Sequence, residues 1–93
     1  MSTMNEDIKI RKDVLHKIKS ELIQRLNVQR DESQIDDDTA LFGNGLKLDS
    51  VDATEIVVML DKVFGIKVSE SDDPSYMRSI NSLATFIIQK MKS

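Results

Sequence analysis

The chain has 93 residues and a mass of 10.6 kDa, the size of one compact domain, which leaves no room for the second core of a multi-domain enzyme. Hydrophobic residues at 40% and charged ones at 31% permit a buried core and exclude a wholly disordered chain, while one Tyr, three Phe, no Trp and a net charge of -3 argue against a nucleic-acid ligand. The absence of Cys excludes disulfides, thiolate metal sites and any thiol nucleophile of the protein's own, and His16 alone cannot build a multi-His metal site.

The first residues, Met1 to Asp7, hold no apolar run suited to a signal peptide, and no apolar stretch approaches membrane-spanning length, so a soluble, cytoplasmic protein is expected. Charge is polarised: residues 1–30 hold seven Lys/Arg against four Asp/Glu, and residues 31–93 hold six against twelve. A small nucleic-acid binder using the basic first segment ranks low, because the remainder would repel the same ligand.

From Ile8 to about Asn27, Leu15, Ile18, Leu22 and Leu26 recur at steps of three and four, with Ile8, Val14 and Ile23 beside them, and predict an amphipathic helix. Lys9, Arg11, Lys12, Lys17 and Lys19 read as its solvated face, with His16 an exposed member. Residues 28–48 lose this period and are rich in Asp, Ser, Asn and Gly, which predicts a long connection docked to the core through Ile35, Leu41, Phe42, Leu46 and Leu48. Asp36-Asp37-Asp38 lacks the alternating ligands, Gly and terminal Glu of a calcium loop, and reads as a cap on a turn before Thr39.

Asp49 as N-cap and Gly65 at the left-handed C-terminal position bracket a second helix from about Ser50 to Phe64, with Ala53, Ile56, Val57, Leu60 and Phe64 inward and Asp52, Glu55 and Asp61 off that face. After an extended Ile66-Lys67-Val68 and a polar stretch from Ser69 to Asp73, Pro74 behind an Asp cap predicts a short third helix through Ile80. Asn81 is the expected cap of the last helix, whose Leu83, Ala84, Ile87 and Met91 hold the inward spacing. The fold class is therefore all-α: a small four-helix bundle, three main helices plus one short one, in a single domain over residues 1–93.

No Gly-x-Ser-x-Gly elbow, phosphate-cradling Gly-rich loop or His-Glu-x-x-His motif occurs, so an enzyme is not expected. What remains is Leu48-Asp49-Ser50-Val51-Asp52 at a loop-to-helix junction. With Asp49 as cap, Ser50 falls at the first helical position, where the helix end favours an anion and a phosphate ester would be well placed. On these residues alone, a plain helix start is the stronger reading.

From Leu41 to Val68, however, the chain resembles the acyl carrier protein family. The Asp-Ser-Leu attachment motif of that family stands here as Asp49-Ser50-Val51; Asp52 and Glu55 match its acidic positions, Ile56, Val57 and Leu60 its inner face, and Phe64-Gly65-Ile66 its helix ending. The resemblance implies covalent 4'-phosphopantetheine on Ser50, placed there by a phosphopantetheinyl transferase using coenzyme A and Mg2+. It also implies acyl groups carried as thioesters among acyl-transferring and chain-elongating or modifying enzymes of fatty-acid, polyketide or related lipid biosynthesis. Asp49 would fix the helix start, Val51, Asp52, Thr54, Glu55, Val58 and Asp61 would meet partners, and the protein would act as a monomer. Val51 in place of Leu, the approach Asn44-Gly45-Leu46-Lys47, a basic Lys62 and the mild net charge depart from the family pattern and point to a specialised, stand-alone member.

Helical spacing further suggests an interior for apolar cargo lined by Ile56, Val57, Leu60, Phe64, Ile80, Leu83 and Ile87, against which stands an ordinary packed core. Two alternatives share the sequence: an aminoacyl or peptidyl carrier, including the D-alanyl carriers, and a carrier-like structural module that never receives the arm.

Overall fold

The computed structural model describes residues 3–43, 45–69 and 71–92. The expectations for Asn44 in the approach to the second helix, and for Glu70 in the polar stretch after Val68, fall outside the described residues. The elements run in the order α1 (Thr3–Leu26), a 3-10 turn (Glu32–Gln34), α2 (Ser50–Phe64), a second 3-10 turn (Pro74–Met77) and α3 (Ile80–Lys92). Helices alone build the layers; among the described residues the one β-type pairing is an isolated bridge between Ala40 and Ser79.

The α1 helix begins before its apolar period does, and the core takes Val14, Leu15, Ile18 and Leu22 from it while Ile8 is 50% exposed. Although the neighbouring Asp7 pairs with Lys92 of α3 at 3.5 Å, the Ile8 side chain itself faces solvent, so its expected place on the inward face is corrected. Two of the five basic residues assigned to solvent are also corrected. Arg11 is half-buried and donates to the Asn81 side chain and to Thr85 Oγ1 at 3.1 Å, and Lys19 pairs with Asp37 at 2.7 Å. Their long stems reach acceptors on neighbouring segments, which helical spacing alone does not reveal. His16 is exposed and paired with Glu32.

The long connection is docked, as its apolar residues imply. Ile35 and Leu41 are buried, and Phe42, Leu46 and Leu48 pack against the core from its edge. Backbone bonds hold the segment in register: Leu41 N–H to Arg78 O, Leu46 N–H to Ala40 O, Leu48 N–H to Leu41 O and Ile80 N–H to Thr39 O, all within 3.2 Å. A Cβ at Gly45 would run into the Ala40 backbone, so this approach to α2 requires glycine there. Asp36 caps its turn as expected, its carboxylate accepting from Asp38 N–H at 3.2 Å.

On α2 the buried residues are Ile56, Met59 and Leu60, with Val63 packed against the same cluster and Val57 and Phe64 half-buried. At about 100° per residue, positions 56, 59, 60 and 63 form the inner stripe and 57 and 64 fall on its flank. Met59 is thus a core residue that the inward set from Ala53 to Phe64 omits. The segment after Asp73 is one 3-10 turn that stops at Met77; Ile80 is instead the first residue of α3, correcting the helix expected to run through it. Asn81 does not cap α3: Ser79 and Ser82 do, each side-chain oxygen accepting from the other's N–H at 3.1 and 2.9 Å. Met91 is 55% exposed, not inward, because α3 outlasts the core beyond Ile87 and Ile88; Phe86, stacked on Tyr76 with centroids 4.2 Å apart, is buried in its stead.

Candidate functional site

The start of α2 is a reciprocal cap. Asp49 Oδ1 accepts from Asp52 N–H and Asp52 Oδ2 accepts from Asp49 N–H, both at 3.0 Å, which satisfies two amide groups that a helix end otherwise leaves open. At the other end Gly65, with φ 69°, sends its N–H back to the Asp61 carbonyl at 3.0 Å. With both ends fixed, Ser50 occupies the first helical position, exposed. Its hydroxyl has no hydrogen-bond partner among the described residues, since Asp49 performs the capping that a serine at a helix start usually performs. The backbone carbonyl of Ser50 receives Thr54 Oγ1 at 3.4 Å.

This arrangement fits a covalently attached phosphate ester. The hydroxyl is reachable from outside, idle and held on a rigid element, and the amide end of α2 favours negative charge beside it.

Of the six residues assigned to partner contact, five share one side of α2, and Asp52, turned toward the inner stripe and engaged in the cap, does not. Positions 51, 54, 55, 58 and 61 cluster opposite the inner stripe. Val51 is 74% exposed, Thr54 and Asp61 are exposed, and Glu55 and Val58 are half-buried. The three acidic residues are not equivalent. Asp52 is half-buried and spent on the cap, and Glu55 receives the Arg25 guanidinium at 3.2 Å, while Arg25 also grips Glu21 at 2.8 Å. These bonds, Glu21 first and Glu55 second, hold Arg25 more firmly protonated than usual. Asp61 makes no ion pair among the described residues. Sequence reasoning missed Arg25 as the partner of Glu55, because the pair spans two helices and no local spacing signals it.

Of the suggested cargo-lining residues, Ile56, Leu60, Ile80, Leu83 and Ile87 meet in one closed cluster and Phe64 packs against it, whereas Val57 is half-buried outside it, which corrects its expected place in that lining. Two cavities lie elsewhere. One, of about 590 Å3, lies between the 3-10 turn at Pro74 and α3, where Lys90 sits over Phe86 and pairs with Asp72 at 3.0 Å. The Asp72 carboxyl is held below its ordinary range by Ser69 N–H and then by Lys90, and burial raises the Tyr76 hydroxyl. The other, of about 320 Å3, adjoins the start of α2.

No described helix is long and apolar enough to cross a membrane, and no cluster of three or more His, Asp or Glu able to hold a metal ion occurs among the described residues.

Residues 16–87 match the family model described as a phosphopantetheine attachment site. The chain is similar to an acyl carrier protein of Thermotoga maritima, 28% identical over 81 residues that cover 87% of this chain and 95% of the relative. It is also similar to an acyl carrier protein of Chlamydia caviae, 30% identical over 70 residues that cover 75% of this chain and 86% of the relative.

Proposed function

The chain belongs to the acyl carrier protein family of phosphopantetheine-attachment domains, and from that premise we propose that Ser50 is the residue that bears the arm. The prosthetic group of the family is 4'-phosphopantetheine, held covalently; when bound, it supplies a flexible arm ending in the thiol that this Cys-free chain lacks, on which acyl groups travel as thioesters. The observation that carries the assignment is the division of labour at the start of α2: Asp49 caps, and the Ser50 hydroxyl is left exposed and unbonded.

Ser50 acts as an acceptor. Its oxygen forms the new bond to the phosphorus that carries pantetheine, its proton passes to a base of the transferring enzyme, and the other half of coenzyme A departs as adenosine 3',5'-bisphosphate. Asp49 and Asp52 keep the helix start rigid, so the hydroxyl is presented without prior rearrangement. Val51, Thr54, Val58 and Asp61 form the surface offered to the transferase and to acyl-handling enzymes, with Asp61 the carboxylate free to steer a basic partner. Such rim charges favour fast encounter and fast release, which suits a carrier visiting several enzymes. Cytoplasmic lipid, fatty-acid or polyketide synthesis is the proposed setting. The same hydroxyl would equally serve aminoacyl or D-alanyl cargo.

Entry of an apolar chain between Ile56, Leu60, Leu83 and Ile87 would require that closed cluster to part. Thermal stability measured with short and long acyl chains attached tests this; no dependence on chain length removes the pocket.

The attachment itself is tested by intact mass after incubation with coenzyme A and a broad-specificity phosphopantetheinyl transferase. The expected result is a phosphopantetheine-sized gain that is absent in Ser50→Ala. No gain in the wild type supports the structural module instead.

A further inference from the structure

The cleft of about 590 Å3 between the 3-10 turn Pro74–Met77 and α3 lies apart from the attachment residue, since nothing from α2 lines it. Its floor is Tyr76 stacked on Phe86, and its walls carry two carboxylates, Asp72 and Asp73, against one ammonium, Lys90. The carboxylates are unequally engaged. Asp72 gives one oxygen to Ser69 N–H at 2.8 Å and the other to Lys90 at 3.0 Å, whereas Asp73 accepts from Ser75 N–H through Oδ1 at 2.9 Å and its Oδ2 has no partner among the described residues. Tyr76 is only 8% exposed, yet its hydroxyl bonds to nothing described. Among the described residues no buried side-chain nitrogen or oxygen lacks a bond, so this hydroxyl emerges from the floor into the cleft. An unbonded polar atom on a buried ring is uncommon and calls for a partner from outside.

The cleft therefore sets acceptors around an aromatic floor, and one cation already uses it: Lys90 Nζ stands over the Phe86 ring, 5.4 Å from its centroid. We propose that this cleft is a docking site for an arginine side chain of a partner polypeptide, and that Lys90 stands in for that cation in the free protein. The chemistry matches on three counts. Two carboxylates against one ammonium leave the cleft negative, which complements a basic partner. The acceptors left over, Tyr76 Oη, Asp73 Oδ2 and the exposed Ser75 hydroxyl, are separate oxygens that suit the several N–H donors of a guanidinium better than a compact ammonium. A guanidinium is also flat and weakly hydrated, so it gains from an aromatic floor. The contact needs no group on Ser50, and as a single exposed anchor it is weak, which lets a carrier leave its partner quickly.

The test is a 15N-1H titration of the unloaded full-length protein with the capped peptide acetyl-Gly-Arg-Gly-amide, and with the same peptide carrying uncharged citrulline in place of arginine. The arginine peptide is expected to move the amide signals of Tyr76, Thr85 and Phe86 to saturation, and the citrulline peptide to leave them in place. Tyr76→Phe and Asp73→Asn, which keep the ring and the turn, should each weaken binding about fivefold. Lys90→Gln should tighten it, because the competing cation is gone and Asp72 is released. Movements that do not saturate, that are equal with citrulline, or that fall on α2 in place of Tyr76 and Phe86 overturn the proposal. Weaker binding by Lys90→Gln overturns the stand-in role, and saturation by free arginine but not by the capped peptide overturns the polypeptide partner. The wild-type titrations need no variant, so a folding defect in one of these would not rescue the proposal.

Discussion

Two helix starts in this molecule have serines in the same neighbourhood and use them in opposite ways. At α3, Ser79 and Ser82 cap each other, and Ser82 Oγ also donates within 3.0 Å of the Tyr76 and Ser79 carbonyls, in a half-buried place where the docked loop adds the Ile80 N–H to Thr39 O bond. At α2, carboxylates do the capping and the Ser50 hydroxyl bonds to nothing described. The contrast shows that a serine at a helix start is structural when its oxygen closes the helix end, and is available for chemistry when a neighbour has taken that task.

The strongest way to break the comparison is to remove each hydroxyl. Ser50→Ala should abolish loading while changing stability by no more than about 0.5 kcal/mol in urea unfolding, as at other exposed positions without partners. Ser82→Ala should do the reverse, costing about 1–2 kcal/mol through the unmade bonds at Tyr76 and Ser79 and leaving loading intact at temperatures where it is folded. Equal destabilisation by the two variants would mean that Ser50 is structural after all. Asp49→Ala sharpens the same point: loss of the cap should cost about 1 kcal/mol and also slow loading, because the acceptor is then presented on a frayed turn.

The contrast between the two ends explains what the sequence could and could not disclose. The α2 limits were legible because Asp49 and Gly65 are local signals, acting within one turn of the residues they fix. The capping of α3 was not, since Ser79 and Asn81 both suit the role. What decides is tertiary: Arg11 and Asp38 engage Asn81 from α1 and the loop. Met59 was legible in principle, being three residues from Ile56 and one from Leu60 on the same stripe, but an unbranched thioether is easily passed over beside Ile and Val. The pairing of Glu55 with Arg25 joins residues 30 apart and leaves no trace in local spacing.

That last pairing sets a smaller prediction. Asp61→Lys should raise the transferase KM more than Glu55→Lys does, because Arg25 already offsets the Glu55 charge while Asp61 is exposed and makes no ion pair among the described residues. Both effects should shrink in high salt, and helicity by circular dichroism should not change. Equal effects would show that Arg25 releases Glu55 during encounter.

The smallest effect is expected at Asp72, on the α3 side of the molecule. Its carboxyl ionises below the ordinary value near 3.8 because Ser69 N–H and Lys90 favour the charged form, so its contribution is present above the unfolded-state value and is lost as pH falls through the folded one. Acid unfolding of Asp72→Asn should therefore be less steep below about pH 4 than that of the wild type, with the loading reaction at neutral pH unaffected.

The most direct measurement is fragmentation mass spectrometry of the protein after loading, which locates the added group residue by residue. The phosphopantetheine mass is expected on Ser50 and on no other hydroxyl. Its recovery on Thr54, Ser69 or Ser71, each also exposed, would contradict the division of labour at the start of α2 on which the account stands.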